Sequence, residues 1–231
     1  MNSEENAREF HRSGRKTYKA VVFDMDGTIL NTIEDLTDAT NHALAVYGLP
    51  QVTVEQERYF VGNGLYTTAK RAVPEGTSDE LVQKVYEELV SYYRSHSEVK
   101  TGPYEGIVET IKRIREAGIK TAVVSNKADF AVQSLVEKYF AGCFDEAMGE
   151  TKGYALKPAP DMVEEILNRL GVSKEEAVYV GDSNVDLQTA ENSDMDCIAV
   201  SWGFRGREKL EEYGAKVIVD TPAQIEEILK Q

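Results

Sequence analysis

Hydrophobic and polar positions divide this chain into two kinds of segment. A short unbroken run, Ala20-Val21-Val22-Phe23, has the continuous apolar character of a strand buried on both faces of a parallel sheet. Between Ile33 and roughly Val99 the pattern takes the period of a helix and shows no convincing strand. Ile33, Leu36, Ala39, Ala43 and Val46 fall on one helical face, and Gly48-Leu49-Pro50 stops that helix. Further helices are expected near residues 54–60, 65–72 and 78–96, the last rich in Tyr and Leu. From Thr101-Gly102-Pro103 onward, helix and strand alternate. Helix 106–117 precedes strand 120–124, helix 129–139 a short strand near 146–148, and helix 161–170 strand 177–180. A helix near 185–192 then leads to strand 197–200, residues 217–219 form another, and a final helix starts at Pro222.

Such alternation predicts right-handed βαβ units on one parallel sheet with helices on both faces, an α/β core of Rossmann-like type. The first strand belongs to that sheet, so the core is discontinuous: residues 18–32 with 101–231, interrupted by an all-helical insertion, a small cap, over 33–100. Residues 1–17 read as a polar N-terminal extension.

Composition narrows the picture further. At 231 residues and 42% hydrophobic, the chain can bury one sizeable core plus a small insertion. No stretch of about 18 apolar residues occurs, and the polar start lacks the apolar segment of a signal peptide. Cys143 and Cys197 are far apart in apolar-leaning segments and read as reduced thiols, so a cytoplasmic protein is expected. The formal charge of −14 repels nucleic acid and anionic membranes. An acidic protein that binds a small anion needs a local remedy: a bound cation, a positioned lysine or helix N-termini.

Candidate chemistry clusters at strand ends. Asp24-Met25-Asp26-Gly27-Thr28 follows the first apolar run, which places two carboxylates in the crevice where open α/β sheets bind ligands. Ser125-Asn126 ends the next strand, Lys157-Pro158 precedes a helix, and Gly181-Asp182-Ser183-Asn184-Val185-Asp186 ends a third strand. Taken singly, each has a plain structural reading: a turn, an N-cap, a solvated lysine. Taken together at the same ends of parallel strands, they suit phosphoryl transfer. Mg²⁺ prefers oxygen ligands, and Asp24 with Asp182 can supply two of them. Asp24 is the candidate nucleophile, Asp26 the acid/base, and Ser125 and Lys157 the groups that meet phosphoryl charge.

In this order the motifs resemble those of the haloacid dehalogenase superfamily phosphatases with a helical cap. The pattern Asp-x-Asp-Gly-Thr, then Ser or Thr, then Lys, then Gly-Asp-x-x-x-Asp is matched by Asp24 to Thr28, Ser125, Lys157 and Gly181 to Asp186. The resemblance implies that Asp24 is nucleophile and metal ligand, that Asp26 ligates Mg²⁺ through its backbone carbonyl, and that Asp182 completes the metal site. Asp186 then meets the metal directly, through water, or by holding the lysine. Gly27, Thr28, Ser125, Asn126 and Lys157 are the expected phosphate-side residues. Within the superfamily, Val61-Gly62-Asn63-Gly64, Pro103-Tyr104-Glu105-Gly106 and Ser201-Trp202-Gly203-Phe204-Arg205 are similar to segments of phosphoglycolate phosphatases. That similarity implies a small phosphorylated acid as substrate, 2-phosphoglycolate first, with Asn63 and Gly64 contributing from the cap. Alternatives are a pyrophosphatase, nucleotidase, sugar-phosphate phosphatase or phosphomutase on the same layout, or a silent regulatory protein. Thr28 speaks against the mutase, where that group tends to carry Val. A monomer or homodimer without nucleic-acid or membrane partners is expected. His11, His42 and His96 lack metal-ligand spacing and are expected on the surface.

Overall fold

A computed structural model describes residues 17–230; the extension up to residue 16, with His11, lies outside the described residues. The elements run β1 (Ala20–Phe23), β2 (Leu30–Asn31), α1 (Ile33–Val46), α2 (Val54–Phe60), α3 (Leu65–Ala72), α4 (Asp79–His96), β3 (Gly102–Pro103) and α5 (Ile107–Glu116). They continue through β4 (Lys120–Ala128), α6 (Asp129–Tyr139), β5 (Glu146–Glu150), α7 (Asp161–Leu170), β6 (Ala177–Gly181), α8 (Asn184–Asn192), β7 (Asp196–Val200), α9 (Gly206–Glu212), β8 (Ile218–Val219) and α10 (Pro222–Leu229). Two compact units result. One joins the residues up to Ile29 with those from Pro103 onward, and the other is Leu30–Gly102.

The first unit is built on a six-stranded sheet in the order β5-β4-β1-β6-β7-β8 with every pairing parallel. The chain moves outward from β1 through β4 to β5, then returns to β6 on the other side of β1. That reversal makes the end of β1 a topological switch point, the place where such sheets leave a crevice beyond their C-terminal ends. Because all four residues of β1 are fully buried, its apolar run needs no alternation. Ala20, Val22, Ala122, Val124, Ala177 and Tyr179 pack with Met162, Val163, Ile166 and Leu170 of α7 in one core cluster. Burying each large apolar side chain there stabilises the fold by about 1.5–3 kcal/mol. Val21, Phe23, Val123 and Val180 alternate to the opposite face.

The short strands β2 and β3, which pair with each other, were not expected, and β4 differs in length. β4 does not stop at Val124 but runs to Ala128, because its pairing with β5 slips after Val124↔Met148 and resumes at Ala128↔Glu150. Ser125 therefore lies within a strand and is not the cap of α6, whose N-cap is Ala128.

In the second unit, local signals set the ends of the helices. Thr53 and Gln56 form a capping box at α2, and the Ser78 side chain accepts from the Leu81 amide at the start of α4. The α1 helix buries Ile33, Leu36, Ala39 and Ala43 as expected, together with Thr40 and Leu44, whereas Val46, its last residue, is exposed. His42 and His96 reach the surface but are half-buried. Their rings stack on the Tyr92 ring at centroid distances of 4.1 and 3.9 Å.

Candidate active site

Sheet register brings the carboxylates together. Phe23 is level with Val123 on one side and Val180 on the other, so Asp24, Ser125 and Asp182 all lie just past the same row. The Asp24 amide donates to Val180 O at 2.9 Å, which fixes the first turn after β1. Gly27 is required in this turn. Its φ is +89°, and a Cβ there would stand 2.5 Å from Asp182 Oδ2. Asp24, Asp182 and Asp186 are buried and each offers an oxygen within 4.8 Å of the others.

Lys157 joins this cluster. Its Nζ donates to Asp24 Oδ1 at 2.7 Å, Asp186 Oδ1 at 2.9 Å and Tyr179 OH at 2.9 Å, so all three ammonium hydrogens have partners. Burial disfavours its charge, but Asp186 and Asp24 override that and hold its pKa well above the ordinary lysine value. Asp24 is pushed well above the usual carboxylate range by burial and by the charges of Asp186 and Asp182, against the pull of Lys157. Burial and Asp186 raise Asp182 to about 7, opposed by the Phe204 amide, Arg205 and Lys157. Three buried acids sharing one lysine leave negative charge uncompensated, and their hard oxygen donors suit a divalent cation. The residues fit such an ion.

Asp186 is engaged at both oxygens. Oδ2 accepts from the amides of Asp182 and Ser183 at 3.2 and 3.1 Å and from Ser183 Oγ at 2.7 Å, while Oδ1 accepts from Lys157 and from Tyr179 OH. This places it as the anchor of the lysine and of the β6–α8 turn. Asn126 is likewise committed to the lysine's backbone: its Nδ2 donates to Lys157 O at 2.9 Å and its Oδ1 accepts from Lys157 N at 2.8 Å. Ser125 is buried and its Oγ accepts from the Lys127 amide at 3.2 Å. Thr28 Oγ1 lies 3.5 Å from Asp182 Oδ1. The Asp26 carboxylate stands apart from the acidic cluster and is held by Lys127 Nζ at 3.0 and 3.2 Å.

Several contributors carry no motif in the sequence. Tyr179 reads there as an ordinary strand residue, although its position in β6, three before Asp182, puts its hydroxyl on Lys157. Lys127 directly follows Ser125-Asn126, a placement that was available as a signal. In the loop after β7, the Phe204 amide donates to Asp182 Oδ2 at 2.6 Å and Trp202 Nε1 to Thr28 O at 3.0 Å.

In the helical unit, Gly64 is the N-cap of α3 with φ +81°, and Asn63 Oδ1 accepts from Arg71 Nη2 at 3.1 Å. Cys143 and Cys197 are free thiols. Among the described residues, no helix is long and apolar enough to cross a membrane.

Comparison with known proteins agrees with this architecture. The sequence model of the haloacid dehalogenase-like hydrolases matches residues 21–200. A phosphoglycolate phosphatase of Pseudomonas savastanoi pv. phaseolicola is 33% identical over 89% of this chain and 78% of its own. One from Agrobacterium fabrum is 31% identical over 91% and 94%. A crystal structure of a proposed phosphoglycolate phosphatase from Lactobacillus delbrueckii subsp. bulgaricus superimposes with a TM-score of 0.88, at 44% identity over 92% of this chain and 98% of that one.

Proposed function

This chain belongs to the haloacid dehalogenase-like hydrolase family, and from that premise we propose that it is a Mg²⁺-dependent phosphomonoesterase that hydrolyses a small phosphorylated acid, 2-phosphoglycolate first, through an aspartyl phosphate. The observation that carries this reading is the buried Asp24–Lys157–Asp186 network beside Asp182, at the switch point of the sheet. The relatives' shared activity supports the choice of substrate.

Asp24 and Asp182 would hold the cation, with Asp186 behind them and the Asp26 carbonyl as a further ligand. When bound, the ion neutralises phosphoryl oxygens and orients phosphorus toward the nucleophile. Asp24 forms the bond to phosphorus as the ester P–O bond breaks, and Asp26 gives its proton to the departing alkoxide. Asp26 then takes a proton from water, whose oxygen displaces Asp24 and releases inorganic phosphate. Lys157 offsets charge on Asp24 and on the phosphoryl group from a position its three partners fix. Ser125, Gly27 and Thr28 line the phosphate side.

A panel of 2-phosphoglycolate, pyrophosphate, mononucleotides and sugar phosphates, compared by kcat/KM with and without Mg²⁺, tests the reading. The expected result is metal-dependent phosphate release with 2-phosphoglycolate at the top. Asp24→Asn should lose more than about a thousandfold in kcat while staying folded, because an amide is a poor nucleophile. Near-normal turnover in that variant would exclude the covalent route.

A further inference from the structure

Lys127, a residue outside the motif pattern, pairs with the Asp26 side chain. Its ammonium group reaches both oxygens of Asp26, at 3.0 and 3.2 Å, across a sequence separation of 101 residues. The lysine side chain is 6% exposed and that of Asp26 22% exposed, so the pair is far from a solvated surface contact. A lysine buried to this degree carries a desolvation cost that a loose pair does not offset.

Its backbone is also fixed from several directions. The Lys127 amide donates to Ser125 Oγ, and β4 changes register between Val124 and Ala128. Gly149 of β5 lies against the next turn so closely that a Cβ there would be 2.5 Å from Lys127 O and 2.6 Å from Asp129 Cα. The Gly149 amide in turn donates to Asp129 Oδ1 at 2.8 Å. The irregular end of β4 is thus a rigid mount for one lysine.

We propose that Lys127 is a positioning residue for Asp26: gripping both oxygens of the carboxylate, and one of them once the other carries the proton, it holds the acid/base in the orientation that meets the leaving oxygen. The inference rests on the acid/base reading of Asp26. A free aspartate samples several χ rotamers, and proton transfer requires the carboxyl group within hydrogen-bond reach of its target. Lys127 therefore matters where Asp26 matters. An alkyl phosphate needs its alkoxide protonated, whereas an activated aryl phosphate leaves without help.

The experiment measures kcat/KM for 2-phosphoglycolate and for p-nitrophenyl phosphate at saturating Mg²⁺ in wild type, Lys127→Met, Lys127→Arg, Gly149→Ala, Asp26→Asn and the Lys127→Met/Asp26→Asn double variant. The expected result for Lys127→Met is a loss of about 30-fold or more on the alkyl ester and under about fivefold on the aryl ester. Arginine should restore most of the difference, and the double variant should be no slower than Asp26→Asn alone. Gly149→Ala, which presses on the Lys127 backbone and leaves both side chains of the pair in place, should repeat the selective loss if Lys127→Met proves unstable. Equal losses on both esters, or a loss that adds to that of Asp26→Asn, would overturn the proposal and leave Lys127 a structural ion pair. The two readings separate cleanly: a selective defect in Asp26→Asn with a uniform one in Lys127→Met defeats only the positioning role, while a uniform defect in Asp26→Asn defeats the acid/base assignment itself.

Discussion

Lys157 is a cation whose three hydrogens are all occupied before any substrate arrives, two by carboxylates and one by Tyr179. In the proposed reaction it would act on phosphate chiefly as a fixed charge, positioned in part by the phenol that completes its coordination. Tyr179→Phe removes the hydroxyl's hydrogen bonds to Lys157 and to Asp186 and leaves a buried ammonium donor without a partner, at a stability cost of about 1–3 kcal/mol. The freed ammonium group can then swing toward Asp24 or Asp186. A fall in kcat/KM of about tenfold is expected, equal for alkyl and aryl phosphates because Lys157 serves the phosphoryl group common to both. Urea denaturation and steady-state kinetics check the two parts. A loss confined to alkyl esters would show that Tyr179 acts on the leaving group instead. Tyr179 was not legible in the sequence, and Lys127 only through its place directly after Ser125-Asn126. The partner each one meets is set by sheet register, which no local pattern of residues encodes. The carboxylates, Ser125 and Lys157 were legible because they recur in order at strand ends, where chain direction alone makes them converge.

Elements differ in how far their signals reach. The helices of the inserted unit were readable almost to the residue, since Thr53, Ser78 and Gly48-Leu49-Pro50 act locally on their ends. The end of β4 was not, because its extension depends on a slipped pairing with β5 that no local pattern encodes. The α2 helix carries a further feature that helical periodicity conceals. Glu57 is fully buried, with Oε1 accepting from Thr40 Oγ1 of α1 at 2.8 Å and Oε2 without a hydrogen-bond partner among the described residues. Burial pushes its pKa up to about 7, against the Thr40 hydrogen bond. The folded state thus keeps a proton that the unfolded chain releases near the ordinary glutamate value of 4.5. Stability from this group is fully present below about pH 4.5, falls as pH rises toward 7 and levels off above it, a total loss of about 3 kcal/mol. Glu57→Gln keeps the acceptor for Thr40 and has no proton to lose. Its advantage over wild type should therefore grow from pH 5 to pH 8 in thermal unfolding at saturating Mg²⁺. A constant offset between the two proteins across that range would show that Glu57 is ionised in the folded state as it is in the unfolded chain, and would overturn the raised value.

At the scale of the molecule, the proposed reaction would bring a substrate anionic at both ends to an acidic chain with a charge of −14. In that reading the core would meet the phosphate with Lys157 and a cation, and the carboxylate of a phosphorylated acid would need a second donor set. The helical unit offers backbone amides at Asn63 and Gly64, at the start of α3, with Arg71 bound to the Asn63 carboxamide. Binding energy from a part of a substrate remote from the ester can be used to raise the rate at the reacting bond. Replacing Gly64 would not test it. With φ at +81° any side chain there strains the turn whatever it binds. Asn63→Ala is the cleaner change, because it removes the Asn63–Arg71 hydrogen bond, while Arg71 Nη1 still donates to Phe60 O, and it imposes no forbidden backbone. If the loop receives the substrate carboxylate, kcat/KM for 2-phosphoglycolate should fall about tenfold or more, while an aryl phosphate lacking a carboxylate is nearly unaffected. The same variant should bind glycolate-like carboxylate inhibitors more weakly and inorganic phosphate as well as wild type does. Equal losses for both substrates would make the loop a structural turn and return the choice among small phosphorylated acids to the core.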